Sequence, residues 1–287
     1  MFKTIKCPNC GQAFDEYASQ CPNCQSDNDG KSKSKVRRMH FVASLKQLLL
    51  FLAGWGGLKI IALLVRSIIE MIGKSVYQGD ADSLSDFLNS NKVGMIINSL
   101  AYVIIFVGLL AILWNDIFPL AKEFKKIRPF IYGIGYGLLI TAVTIGYTLL
   151  LKACGIEFSD NGNESAISTY MIAYPTLSVL IFVILGPIVE ELVYRVGLFA
   201  FLYRINKYLA YVVAALVFGL IHMSFNFSDI NVFLNELINI PSYIFAGVVL
   251  CYIYSKEGFA CSTYAHITNN LVAFIATLVS HYAGASR

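Results

Sequence analysis

Charge is the first scarcity. Lys, Arg, Asp and Glu make up 14% of the 287 residues, where a soluble domain carries about 25%. With 57% hydrophobic residues and a mean hydropathy of +0.64, the composition excludes an ordinary soluble globule. The long apolar runs lack two-residue alternation, which excludes a membrane barrel and leaves membrane-spanning helices. A net charge of +4, from 22 Lys and Arg against 18 Asp and Glu, singles out no partner, and nucleic acid is not expected to be one. No cleavable leader is visible: MFKTIKCPNC runs into cysteines instead of an apolar stretch. The first span is therefore expected to direct insertion. Internal symmetry is also missing; only the tetrapeptide CPNC repeats. A transporter with a midplane site would show matching halves or broken helices.

Four of the seven cysteines stand together. Cys7-Pro-Asn-Cys10 and Cys21-Pro-Asn-Cys24 are two CxxC knuckles separated by ten residues. That spacing suits a tetrahedral site with four thiolate ligands, here Zn2+ in a structural role. The metal would supply the folding energy that so short a segment lacks. A disulfide pair or a redox CxxC is the alternative. The piece resembles the small zinc ribbons that begin many bacterial membrane proteins, and a docking or regulatory role is its expected use. Cys154, Cys251 and Cys261 show no ligand spacing and read as small apolar residues.

The expected organisation is a zinc ribbon at 1–26, a basic linker at 27–40, N-terminal membrane helices at 41–128 and a catalytic membrane domain at 129–287. Lys31, Lys33, Lys35, Arg37 and Arg38 precede the first span and hold that end in the cytoplasm by the positive-inside rule. A reducing compartment also suits thiolate ligands. Spans are expected near 41–76, 95–114, 129–151, 177–202, 208–224, 232–254 and 259–279, with Pro241 a kink or break that would make eight. Arg66 and Glu70 have the spacing of a pair. Acidic loops around Asp80 and Glu157 read as outside, and the basic loop from Lys122 to Arg128 as inside. The fold class is all-α: a polytopic bundle of about seven to eight spans in the cell membrane, behind a small ribbon.

The run 177–202 carries Glu190, Glu191 and Arg195. A charge at the bilayer centre costs about 2.5–3.5 kcal/mol on insertion scales, so three within six residues need a function or a partner. Glu191 and Arg195 are i, i+4, with the acid N-terminal, the better orientation for a pair. Glu190 points about 100° away round the helix. A structural salt bridge accounts for the first two and leaves Glu190 unexplained. Phe218-Gly-Leu-Ile-His222 and His266-Ile-Thr-Asn-Asn270 follow in later spans, with His266 and Asn270 on one helix face. A base, polar proton carriers and oxyanion donors are the ingredients for hydrolysing an amide.

EExxxR at 190–195, FxxxH at 218–222 and HxxxN at 266–270 resemble, in order, the three motifs of the CAAX prenyl protease and bacteriocin-processing family, the Abi or CPBP intramembrane endopeptidases. The likeness covers about 129–282. It implies that Glu190 activates water with help from His222, and that His266 and Asn270 hold the oxyanion. Glu191 and Arg195 would support the site, with Phe218 packed on His222. It implies a peptide or membrane-protein substrate met in the bilayer. A catalytic metal stays open: His222, His266 and a Glu are zinc-type ligands, yet there is no HExxH, and metal-free chemistry is favoured. The rival is a non-proteolytic membrane protein that binds a partner, for instance in bacteriocin immunity. Oligomeric state is not legible.

Overall fold

The computed structural model describes residues 4–15, 21–24, 26, 39, 42–225 and 229–285. The basic run at Lys31–Arg38, on which the expected orientation leans, lies outside them. Two short antiparallel strands, β1 (Thr4–Lys6) and β2 (Ala13–Asp15), pair Ile5 opposite Phe14. Gly11, at φ +72°, turns the chain between them. Cys7, Phe14 and Cys21 are buried together under this hairpin.

The rest is helical, as composition requires. In order come α1 (Ser44–Val76), α2 (Ala81–Leu88), α3 (Asn91–Ile112), α4 (Ile117–Glu123), α5 (Ile127–Ala153), α6 (Gly162–Ala173), α7 (Pro175–Tyr203), α8 (Lys207–Leu220), α9 (Ile230–Glu257) and α10 (Phe259–Ala285). Polar residues between the apolar runs cap the helix starts. The side chains of Asp80, Ser90, Asn161, Asn206 and Asp229 each accept from a backbone N–H of the first turn. Leu63, Val107, Leu149 and Val279 face outward, as lipid-facing side chains do.

Among the described residues, five helices are long and apolar enough to cross a membrane: α1, α3, α5, α7 and α9. This is fewer than the seven or eight expected. α8 has only 14 residues, and α10, with Ser262, Thr263, His266, Asn269 and Asn270 along it, gives up apolarity for polar groups. Pro241 creates no eighth segment, because α9 runs through it unbroken. The Tyr147 hydroxyl donates to the Ile238 carbonyl at 2.9 Å, supporting the turn that proline weakens. The expected Arg66–Glu70 pair is replaced by Glu70–Lys74, at 2.7 Å.

α7 is the core. All of its residues from Glu191 to Phe199 are buried, among α1, α3, α8, α9 and α10. Small residues let the backbones approach. A Cβ on Gly197 would stand 3.0 Å from the Phe51 nitrogen of α1, and one on Gly137 of α5 would stand 2.5 Å from the Ala265 carbonyl of α10. That second contact fixes α5 against the helix that carries His266 and Asn270.

Candidate active site

Helix geometry is irregular where the charges sit. Within α7, Val179–Leu185 and Glu191–Phe199 are π-helical, with α-helical Gly186–Glu190 between them. Such widened turns are rare and concentrate at functional sites. The sequence supplies a local reason. The Gly186 N–H goes to the Ile181 carbonyl and Pro187 has no N–H, so the Phe182 carbonyl is left for a side chain. Asn270 of α10 takes it, donating from Nδ2 at 3.1 Å. In turn, the Asn270 side-chain oxygen accepts from Asn269, whose own oxygen accepts from Thr141 of α5 at 3.0 Å.

Glu191 and Arg195 are fully buried, their nearest oxygen and nitrogen 3.3 Å apart. The guanidinium carbon lies 4.2 Å from the centre of the Phe218 ring, a cation–π contact. Its nitrogens make no hydrogen bond among the described residues, so the pair is held by charge more than by directed donors. The other Glu191 oxygen faces His266 Nδ1 at 3.0 Å. A carboxylate only accepts, so Nδ1 carries a proton and Nε2 points away, toward Glu190 Oε2 at 3.7 Å.

Glu190 is placed differently from its neighbour. It lines a cavity of about 660 Å³ together with Tyr102, His222, His266 and Asn270. Glu191 and Arg195 are not part of that wall; they lie behind it. Glu190 Oε1 accepts from the Tyr102 hydroxyl at 3.5 Å, while Oε2 has no hydrogen-bond partner among the described residues. His222 donates from Nδ1 to the Phe218 carbonyl at 2.7 Å, which leaves Nε2 as an acceptor in the cavity. Its ring stacks on Tyr243 with centroids 4.4 Å apart and planes at 15°.

All six residues singled out in the sequence therefore converge, in two layers. Glu190, His222, His266 and Asn270 face the cavity; Glu191 and Arg195 brace it. Phe218 packs on His222, with centroids 4.9 Å apart, and also edge-on to His266. Sequence reasoning missed Tyr102 and Tyr243. It also missed the polar face of α9 that clamps the loop leading into α6. There Glu236 accepts from the Gly162 and Ser224 amides at 2.8 and 2.9 Å, and the Tyr243 hydroxyl accepts from Asn161 and donates to Glu164. The i, i+1, i+4, i+8 spacing of Asn235, Glu236, Asn239 and Tyr243 was the available signal.

The ribbon's cysteines form a separate centre. The sulfurs of Cys7, Cys10, Cys21 and Cys24 all lie within 4.8 Å of one another, with Cys7–Cys24 at 3.5 Å and Cys10–Cys21 at 3.6 Å. Four thiolates each about 2.3 Å from one zinc would stand about 3.8 Å apart, so the set fits such an ion. The Ser26 hydroxyl, 3.1 Å from Cys24, pulls that thiol down to about 6, toward the thiolate a metal needs. No other group of three or more His, Cys, Asp or Glu among the described residues has metal-ligand geometry. Glu190, His222 and His266 do not fit a three-ligand catalytic metal as they stand. Cys251 and Cys261 are buried as expected, but Cys154 is exposed.

Fold and site together define a helical membrane protein with a carboxylate–histidine centre beside an interior cavity. The family model described as Type II CAAX prenyl endopeptidase Rce1-like matches residues 172–272, a stretch that contains the EExxxR, FxxxH and HxxxN residues. Over these site-bearing helices the chain is similar to that family. An uncharacterized protein of Mycoplasma capricolum subsp. capricolum is similar, 23% identical over 205 residues. That alignment takes in 67% of this chain and 58% of the relative, so the chain spans little more than half of the relative's length. No solved structure matches.

Proposed function

We propose that this protein is an intramembrane endopeptidase that hydrolyses peptide bonds with Glu190 as general base. The observation that carries the reading is the division of labour between the adjacent carboxylates. Glu191 is spent on Arg195 and His266, whereas Glu190 faces the cavity with one oxygen unpaired. A water between Glu190 Oε2 and His222 Nε2 would give its proton to the carboxylate as its oxygen attacks the substrate carbonyl. The oxyanion would be met by His266 Nε2–H and by the second Nδ2 hydrogen of Asn270, whose first goes to Phe182. Glu190 would then pass the proton to the amide nitrogen as the C–N bond breaks, leaving an acid and an amine.

His266 donates from both nitrogens in this scheme, so it works as an imidazolium. Two carboxylates, Glu190 and Glu191, are then balanced by two cations, Arg195 and His266. A neutral set is the arrangement a buried site tolerates best. The substrate is a peptide or membrane protein reaching the cavity from the bilayer, and the ribbon a cytoplasmic zinc-holding appendage on a catalytic membrane domain. Comparing membrane proteomes from cells with the unmutated protein and with Glu190→Gln tests this. Peptides that accumulate only in the variant identify substrates. Identical proteomes, with a well-folded variant, would leave a partner-binding role in place of proteolysis.

A further inference from the structure

Tyr102 stands out because it belongs neither to the motifs nor to the segment matched by the family model. It comes from α3, 88 residues before Glu190, yet its hydroxyl is the hydrogen-bond donor to Glu190 Oε1, at 3.5 Å. The ring is held edge-on to Phe182, with centroids 6.3 Å apart and planes at 85°. It also lies along Gly186, where an added Cβ would stand 3.6 Å from its Cε1. Phe182 is also the residue whose carbonyl holds Asn270. The phenol and the Asn270 amide are thus set by one π-helical turn.

The two Glu190 oxygens differ as a result. Oε1 is engaged by the phenol, whereas Oε2 accepts no hydrogen bond among the described residues and has His266 Nε2 at 3.7 Å. A free carboxylate would rotate about its last torsion, which is broad and roughly two-fold. One capped oxygen removes that freedom and presents the other to water. We propose that Tyr102 is a positioning residue for Glu190, so that the N-terminal helices complete the active centre instead of merely covering it. The proposal rests on Glu190 as the base. Its role is to hold the carboxylate, and no proton needs to leave the phenol.

Tyr102→Phe removes the hydroxyl and keeps the ring on Phe182. Two measurements on the full chain in liposomes test it. The first is the infrared carboxylate band of Glu190, identified as the band absent from Glu190→Gln; it needs no substrate. The second is turnover of a quenched fluorescent peptide, selected from a random library with the unmutated protein. Tyr102→Phe is expected to displace the band, to lower kcat by about 10- to 100-fold, the worth of a hydrogen bond to a charged group, and to leave KM and Tm unchanged. An unmoved band overturns the proposal, as does full activity in Tyr102→Phe while Glu190→Gln is dead. If Glu190→Gln itself keeps full activity, the base assignment fails instead, and the band still reports on the contact.

Discussion

At the residue scale, two adjacent glutamates on one helix have opposite surroundings, and this separates their expected mutants. Glu190 lines the cavity and lies on the far side of His266 from Arg195, with His266 Nε2 3.7 Å from its Oε2. Glu190→Gln keeps size and the Tyr102 contact but removes the base. Peptide cleavage should fall by about 10²–10⁴-fold, with thermal unfolding in detergent little changed. Glu191 has no exposed surface and faces Arg195 and His266. Glu191→Gln leaves a buried guanidinium without its counter-charge, and removing one member of a buried pair costs about 3–5 kcal/mol. Loss of folded protein on heating and on protease treatment should accompany its loss of activity. A stable, inactive Glu191→Gln beside an active Glu190→Gln would reverse the two assignments. The Glu191–Arg195 contact was legible because i, i+4 spacing is a local fact. Tyr102 was not, because nothing in the chain announces a contact formed across 88 residues; the spacing of the polar face of α9 signalled Tyr243 but not its stacking on His222.

At the element scale, most helix positions were readable from apolar runs and the polar caps between them. The local winding was not. Hydropathy is blind to π-helical turns, yet it is the missing N–H of Pro187 that frees the Phe182 carbonyl for Asn270. Pro241 misled in the opposite sense. A proline is a helix breaker in isolation, but α9 packs on α5, α8 and α10, and Tyr147 supports the turn before it. Glycines divide in the same way. Gly133, Gly135 and Gly137 look alike in sequence, but a Cβ on Gly137 would meet the α10 backbone, while one on Gly135 meets nothing within 4 Å. Gly137→Ala should therefore separate α5 from α10 and cost about 1–3 kcal/mol. It should also weaken the Thr141–Asn269 contact that steadies Asn270. Gly135→Ala should leave the melting temperature unchanged or slightly raised, since alanine is the better helix former. Thermal unfolding of the two variants side by side decides it; equal effects would mean that α5 and α10 are not in backbone contact.

At the scale of the whole molecule, two centres of different chemistry share one chain. The ribbon is a thiolate cluster outside the helices, and its folding energy would come from the metal. About one zinc per chain is expected, lost on converting Cys7 and Cys10 to Ser, with unfolding of the membrane helices unaltered. Zinc content unchanged in that variant would remove the assignment. Loss of zinc with His222→Ala would move the ion to the cavity.

Orientation is the remaining global property, and charged contacts sort the loops by end. Arg204 donates to Gln47 and to the Val42 carbonyl at 2.8 and 2.7 Å, Lys46 pairs with Asp116, and Arg128 pairs with Glu257 at 2.9 Å. These ties join the basic loops at one end of the bundle. At the other end, Asn235 and Glu236 hold the acidic segment around Asp160. By the positive-inside rule the first end is expected in the cytoplasm. Cys154 then offers a native reporter, because it is exposed just after α5, whereas Cys251 and Cys261 are fully buried. A membrane-impermeant thiol reagent applied to intact cells should label Cys154 and lose that label in Cys154→Ser. In the Cys154→Ser background, Lys125→Cys should react only after the membrane is opened. Labelling in the reverse order would invert the molecule and move the acidic end of the cavity to the cytoplasm.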